Sequence, residues 1–231
     1  MQLMPNLAYA LIPVAAVLIG AVAAVLRKPS PKLVSAVQHL AAGVVFAAAA
    51  AEILPQVKHG GSVWATLIGG VLGVVVMLSI KSLESRWQGP VGMVSAIGID
   101  IFIDGLVLGL AFLAGEKAGV LLTIALTLEV LFLCLTVTAE LGETIRSRSR
   151  IVAITVGLAL LLPLGTIAAT PVALLSSPVI TAFLAFGLVA LLYLVTEELL
   201  VEAHEQPDSP LITAMFFVGF LALLLIEEIL G

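Results

Sequence analysis

The sequence predicts an all-α membrane protein of eight transmembrane helices in a 3+2+3 arrangement, two inverted repeats of three around a central pair. Three observations carry the eight helices, and the 3+2+3 arrangement rests on an internal echo and on a family resemblance given below. Apolar residues make up 61% of the 231 positions and charged residues only 11%, with a mean hydropathy of +1.25. Soluble domains run at about 45–50% and about 25%, and a globule in water cannot hide the excess, because much of any fold faces its solvent. The apolar residues fall in eight runs of about 20, the length that crosses a bilayer. The connections are short and hold most of the turn formers and charges. A water-soluble enzyme, a secreted disulfide scaffold and a nucleic-acid binder are excluded together. The single cysteine, Cys134, lies in an apolar run, so there is no disulfide framework.

Each span follows from its own run and its punctuation. The first, 6–26, has no basic region before it and the N-terminus has no small-residue cleavage site, so the span is expected to be kept rather than removed as a signal peptide. It ends at Arg27-Lys28-Pro29-Ser30-Pro31. The second, 33–55, stops at Pro55 and is followed by His59-Gly60-Gly61. The third, 62–80, is separated by Gln88-Gly89-Pro90 from the fourth, 91–114. Gly115-Glu116-Lys117 turns the chain into the fifth, 118–143. The sixth, 150–170, follows the basic stretch from Arg146 to Arg150, and Pro163 should kink it and free a carbonyl. The seventh, 177–200, and the eighth, 211–230, flank the connection from Gln206 to Pro210. Barrel strands are about ten residues of alternating polarity, half the length of these continuously apolar runs. The chain reads as one transmembrane domain over 1–231.

Basic residues set the orientation, because cytoplasmic loops hold the Lys and Arg excess. The loops after spans 1, 3, 5 and 7 share one side. That side holds Arg27, Lys28, Lys32, Lys81, Arg86, Arg146, Arg148 and Arg150; the other holds only Lys58 and Lys117. Both termini are therefore expected outside the cytoplasm. An internal echo links the ends of the chain: Ala42-Gly43-Val44-Val45 leads to Glu52-Ile53-Leu54 in span 2, and Phe186-Gly187-Leu188-Val189 leads to Glu198-Leu199-Leu200 in span 7. If spans 1–3 and 6–8 repeat, their orientations are opposite, the symmetry common in secondary transporters.

An ionised side chain at mid-bilayer costs about 2.5–3.5 kcal/mol on insertion scales, so such residues face a protein or watery interior. Three stand out: Asp100 and Asp104 in span 4 and Glu129 in span 5. The aspartates are four apart, on one helix face and one turn from each other. Asp104 precedes Glu116 by as many residues as Glu129 follows Lys117, so in antiparallel helices the two lie at nearly one depth. No basic residue lies in either helix interior. Three carboxylates at one level repel unless cations or protons neutralise them, which points to a site for a hard cation.

At about 100° per residue, Glu129, Thr136, Glu140 and Glu143 share a stripe roughly 60° wide on span 5. That stripe is a candidate exit path, with solvated helix-end residues as the plainer reading of Glu140 and Glu143. Glu52 at the end of span 2, and Glu197, Glu198, Glu202, His204 and Glu205 at the end of span 7, are candidates for a cation entry or auxiliary site, with solvated helix ends as the plainer reading. His39 reads most simply as a polar residue facing another helix, and Glu227 and Glu228 as interfacial. Gly98, Gly105 and Gly109 thin one side of span 4 and allow close helix approach.

Asp100-Ile101-Phe102-Ile103-Asp104-Gly105 is similar to a span 4 motif, His-Asn-x-x-(Asp/Glu)-Gly. Tyr193-Leu194-Val195-Thr196-Glu197-Glu198-Leu199-Leu200-Val201-Glu202-Ala203-His204 is similar to a span 7 signature, Tyr-Val-x-x-Glu-Glu-Leu-Ile-Pro-Glu-Ala-His. Pro163-Leu164-Gly165 matches a Pro-Leu-Gly in span 6. In these segments the chain resembles the ZIP (Zrt-, Irt-like) metal-ion transporters, particularly their GufA-like bacterial branch. The resemblance spans essentially the whole chain. It implies external termini, a binuclear metal site on spans 4 and 5 at the midplane, movement of one helix bundle against the other, and a homodimer.

The departures from the family pattern shape the expectation. The motif's His is Asp100 here and its Asn is Ile101. Family spacing puts Glu129 on the first position of the span 5 motif, with Val130 and Leu133 on its second and fifth. A shifted register onto Thr136 and Glu140, or onto Ala139-Glu140-Leu141-Gly142-Glu143, needs an insertion of about two turns, and Glu129 is preferred. Leu162 stands where some members carry an acid. One metal position is thus rebuilt as Asp100, Asp104 and Glu129, and the second is lost. All-carboxylate sites suit Mn²⁺, Mg²⁺, Ca²⁺ or Fe²⁺ better than imidazole sites do, although carboxylates also bind Zn²⁺.

The expected function is ZIP-like transport of a divalent metal cation (Zn, Mn, Fe, Co or Cd as substrate, with no organic cofactor) across the cytoplasmic membrane. The protein is not expected to be an enzyme, and nothing in it resembles a nucleotide-binding Gly-rich loop with Lys. Its expected partners are the lipid bilayer, metal ions and a second copy, with no nucleic acid. The rivals are a proton-coupled carrier of a non-metal substrate and a transport-inactive sensor or partner protein. An intramembrane aspartyl hydrolase ranks last, because its two aspartates would come from facing helices.

Overall fold

The computed structural model describes residues 3–26, 30–86, 90–204 and 209–230. Every element of regular structure in them is helical. Eight helices are long and apolar enough to cross a membrane. They are α1 (Leu3–Leu26), α2 (Pro31–His59), α3 (Val63–Arg86) and α4 (Pro90–Ala114). The rest are α5 (Glu116–Thr144), α6 (Arg148–Leu174), α7 (Ser177–Ala203) and α8 (Pro210–Leu230). Arg27, Lys28 and Glu205 lie outside the described residues.

The predicted spans are all present, most of them longer at one or both ends. The largest differences have local causes. α2 runs past Pro55 to His59, although a proline can give no N–H to the carbonyl four residues back. Instead of stopping, the chain widens into a π-turn over Ala49–Ile53, where the Leu54 N–H reaches back to the Ala49 carbonyl. At its other end, Ser30 caps α2 by accepting from the Leu33 N–H at 3.3 Å, with Pro31 in the first turn. In α6, Pro163 leaves the Ala159 carbonyl without its helical donor, and the helix breaks at Leu160 between Arg148–Ala159 and Leu161–Ala168. α7 carries a second π-turn over Leu194–Leu199, where the Leu200 N–H reaches the Val195 carbonyl. No proline marks that one.

α4 and α2 are the most enclosed helices, and α3 and α8 the least. Outward residues such as Trp64, Leu67, Val71 and Val75 on α3, and Phe217, Leu221 and Leu225 on α8, are exposed apolar surface suited to lipid. α2 packs on α8, α7 and α5; α3 packs on α7; α1 packs on α5 and α6; α4 packs on α6, α5 and α7. Three of these contacts are backbone to backbone, one of them α3 on α7, where a Cβ on Gly69 would stand 2.0 Å from the Ala182 carbonyl oxygen. A Cβ on Gly43 would stand 1.9 Å from the Phe216 carbonyl oxygen, and one on Gly219 would stand 2.2 Å from that of Leu40. α4 and α6 meet in the same way at Gly105 and Gly165, whose added Cβ atoms would lie 2.0 Å from the Leu162 oxygen and 2.1 Å from the Phe102 oxygen. Small residues are what let membrane helices approach so closely.

Candidate metal centre

α4 and α5 are joined through Gly115 alone, which donates to the Ala111 carbonyl and accepts from the Gly119 N–H, each at about 3 Å. So tight a connection makes the two helices antiparallel neighbours and fixes their register. One turn of α4 carries Asp100 and Asp104 on the same side. The register brings Glu129 of α5 opposite them: one carboxylate oxygen from each of the three lies within 4.8 Å of the others. This is the one such grouping among the described residues.

The three side chains are 5%, 3% and 1% exposed for Asp100, Asp104 and Glu129. Asp104 Oδ2 and both Glu129 oxygens are buried, and apart from each other these two carboxyl groups have no hydrogen-bond partner among the described residues. No Lys or Arg occurs from Gly92 to Ala114 or from Ala118 to Thr144. Two full charges about 5 Å apart repel by about 3 kcal/mol at an effective dielectric of about 20. Buried carboxylates are normally hydrogen-bonded or paired with a positive charge, and here the helices that carry them offer no such charge. Oxygens bound to one ion at about 2.0–2.6 Å can stand up to about 4–5 Å apart, so the three positions match one divalent cation. The donor set is all oxygen, the choice of hard and borderline ions.

Gly105, next in sequence to Asp104, holds α4 against α6, and the Thr166 hydroxyl donates to the Gly105 carbonyl at 3.1 Å. Ile101, Val130 and Leu162 are fully buried apolar residues. Glu198 sits half-buried on the π-turn of α7, near enough for its charge to act on both Asp104 and Glu129. Sequence spacing had grouped Glu198 with the helix end; the π-turn, for which the sequence offers no signal, goes with a place closer to the centre.

The other candidates are distributed. Thr136 is half-buried and donates to the Phe132 carbonyl of its own helix at 3.3 Å. Glu140 and Glu143 are exposed near the end of α5. Glu52 is buried in the π-turn of α2, 8% exposed, where the charges of Glu227 and Lys117 act on it. Lys117 and Glu227 pair with each other at 3.5 Å. Glu197 is exposed. Glu202 accepts from Gln38 Nε2 at 2.7 Å, and the His204 ring packs against that of His39 at a tilt of 59°, 5.0 Å between centroids. His39 faces another helix, as read from the sequence.

The chain matches no family model and no curated protein. The geometry of the carboxylate centre therefore carries the functional argument by itself.

Proposed function

We propose that the protein is a secondary transporter of divalent metal cations, ZIP-like in its architecture, with Asp100, Asp104 and Glu129 as the ligands that hold the ion in transit. One observation carries the proposal: three buried carboxylates from two adjacent membrane helices converge to within a single ion's coordination distance. A passing dication offsets two of their three charges, and water fills its remaining positions. The ion is the substrate, and no nucleotide or organic cofactor is involved. Ile101, Val130 and Leu162 occupy the places where the family pattern would put ligands of a second ion, and each is apolar and buried, which favours one ion at a time.

The inverted 3+2+3 architecture is part of this proposal and is supported by the helix neighbours. Exchanging α1 with α6, α2 with α7, α3 with α8 and α4 with α5 turns each main contact into another: α8 on α2 becomes α3 on α7, and α6 on α4 becomes α1 on α5. Both α2 and α7 carry a glutamate-bearing π-turn, and π-turns recur at functional sites. α1, α4, α5 and α6 then form one bundle holding the centre, and α2, α3, α7 and α8 form the other. Sliding one against the other would expose the ion to each side in turn. The Lys and Arg excess of one set of loops supports a cytoplasmic-membrane protein with both termini outside, and a homodimer is the proposed assembly.

The test is uptake of Mn²⁺, Fe²⁺, Co²⁺, Zn²⁺, Cd²⁺ and Mg²⁺ into proteoliposomes, with wild type beside Asp104→Asn. Saturable flux of at least one ion, abolished by the substitution, is the expected result. Absence of flux for every ion from folded protein overturns the proposal and leaves a non-metal carrier or a transport-inactive sensor.

A further inference from the structure

Glu52 is 8% exposed, yet no described residue hydrogen-bonds its carboxylate or pairs with it at ion-pair distance. Buried carboxylates are normally held by donors or by a positive charge. The π-turn that carries Glu52 packs against α4, α5 and α7. The charges that reach its side chain come from two other helix ends: Lys117 in the first turn of α5 and Glu227 in the last turn of α8. A buried acid, a half-buried acid and one ammonium therefore meet where α2, α5 and α8 end on the same side.

The ammonium is loosely held. Lys117 Nζ stands 3.5 Å from Glu227 Oε1, longer than the roughly 2.7–2.9 Å of a tight charge-assisted bond. At the start of α5 it also sits at the positive end of the helix dipole, where a cation is disfavoured. Both side chains are partly open to solvent, 38% for Lys117 and 27% for Glu227, so an ion arriving from water can reach them. Two carboxylates and one ammonium leave a negative charge over, whereas one dication balances both acids, and the attraction grows with the charge. Glu52 lies about 12 Å along α2 from Gly60, and Glu129 about 18 Å along α5 from Lys117, so Glu52 is nearer its helix end than the Asp–Asp–Glu centre is.

We propose that Glu52 and Glu227 form a second cation site, an all-oxygen site for a hydrated dication such as Mn²⁺, Mg²⁺ or Ca²⁺, with the Lys117 ammonium as its tethered competitor. Two carboxylates supply few of the ligands such an ion takes, so it keeps most of its water. The flexible four-carbon stem of Lys117 lets the ammonium swing aside into solvent. As a stop on the way to the Asp–Asp–Glu centre the site rests on the transporter reading; as a binding site it does not.

The test is Mn²⁺ binding to purified full-length protein without a polyhistidine tag, read from the loss of the free ion's electron paramagnetic resonance signal. Asp104→Asn with Glu129→Gln is the background, so that the Asp–Asp–Glu centre is disabled. This protein is expected to bind one Mn²⁺. Adding Glu52→Gln or Glu227→Gln is expected to weaken the binding at least tenfold, and adding Lys117→Gln to tighten it at least threefold. Glu228, exposed and next to Glu227 in sequence, is the control, and Glu228→Gln should leave binding unchanged. Glu227 is half-buried, so its substitution keeps the test available if Glu52→Gln fails to fold. Equal Mn²⁺ binding with and without Glu227 overturns the inference. So does Lys117→Gln binding that is no tighter, or that is absent altogether. Absence of metal uptake by the wild type, by contrast, bears only on the transporter reading.

Discussion

Gly105 and Leu162 touch backbone to backbone: a Cβ on Gly105 would stand 2.0 Å from the Leu162 carbonyl oxygen. Because Asp104 precedes Gly105, this contact sets how far the carboxylate centre sits from α6. Gly105→Ala should force α4 and α6 apart at a cost of about 1–3 kcal/mol, the usual range for overpacking. Metal uptake should fall at least tenfold through displacement of Asp104. Gly157→Ala, with open space around the glycine, should leave both unchanged. Thermal melts and uptake, measured for both variants, check this.

The Glu129 and Asp104 carboxyl groups, partnered only by each other among the described residues, make the metal-free centre a weak point in the fold. Glu129→Gln removes a buried charge without changing shape, and the metal-free protein should melt higher, by about 2–4 °C for each kcal/mol recovered. The wild type should gain stability on adding Mn²⁺ or Zn²⁺, and Glu129→Gln should gain much less. A variant that melts lower than wild type without metal, or responds equally to metal, would count against a charged cation centre.

Lys117 is placed as a tethered cation beside two acids, paired with Glu227 and acting on buried Glu52. The Lys117 and Glu227 side chains are 38% and 27% exposed, so the pair itself contributes at most about 1 kcal/mol. Lys117→Gln should leave the melting temperature nearly unchanged. It should lower the KM for cations presented on that face, because a built-in competitor is gone. The effect should shrink as ionic strength rises. Uptake kinetics at low and high salt decide the matter.

Cys134 is buried, 1% exposed, so single added cysteines can report sidedness without background from a native thiol. Gly61→Cys and Gly115→Cys should label with an impermeant maleimide on intact cells. Ser30→Cys and Ser147→Cys should label only after permeabilisation. The opposite pattern would invert the orientation drawn from the basic loops.

Manganese and magnesium provide a selectivity test. An all-oxygen centre with room for water should let Mn²⁺ and Mg²⁺ compete with Zn²⁺ uptake more effectively than a histidine-containing centre would. Asp100→His should shift the balance, raising discrimination for Zn²⁺ over Mg²⁺ at least severalfold. Competition assays on the two proteins measure it.

Composition and run length sufficed to determine the eight spans, because lipid demands about twenty apolar residues per crossing and the chain has nowhere else to put them. Asp100, Asp104 and Glu129 were also legible, since charge inside an apolar run is costly enough to be conspicuous, and a short turn fixes the depth of the residues on either side of it. What only the tertiary structure decided lies in departures from the regular helix and in contacts between distant segments. The π-turn that goes with Glu198's place near the centre leaves no mark in residue type, because an extra residue per turn changes hydrogen bonding rather than composition. The glycine contacts of α4 with α6, and the His39–His204 ring contact, join residues more than 50 positions apart. Periodicity along one helix gives the direction of a side chain, but which helix it meets depends on how all eight pack.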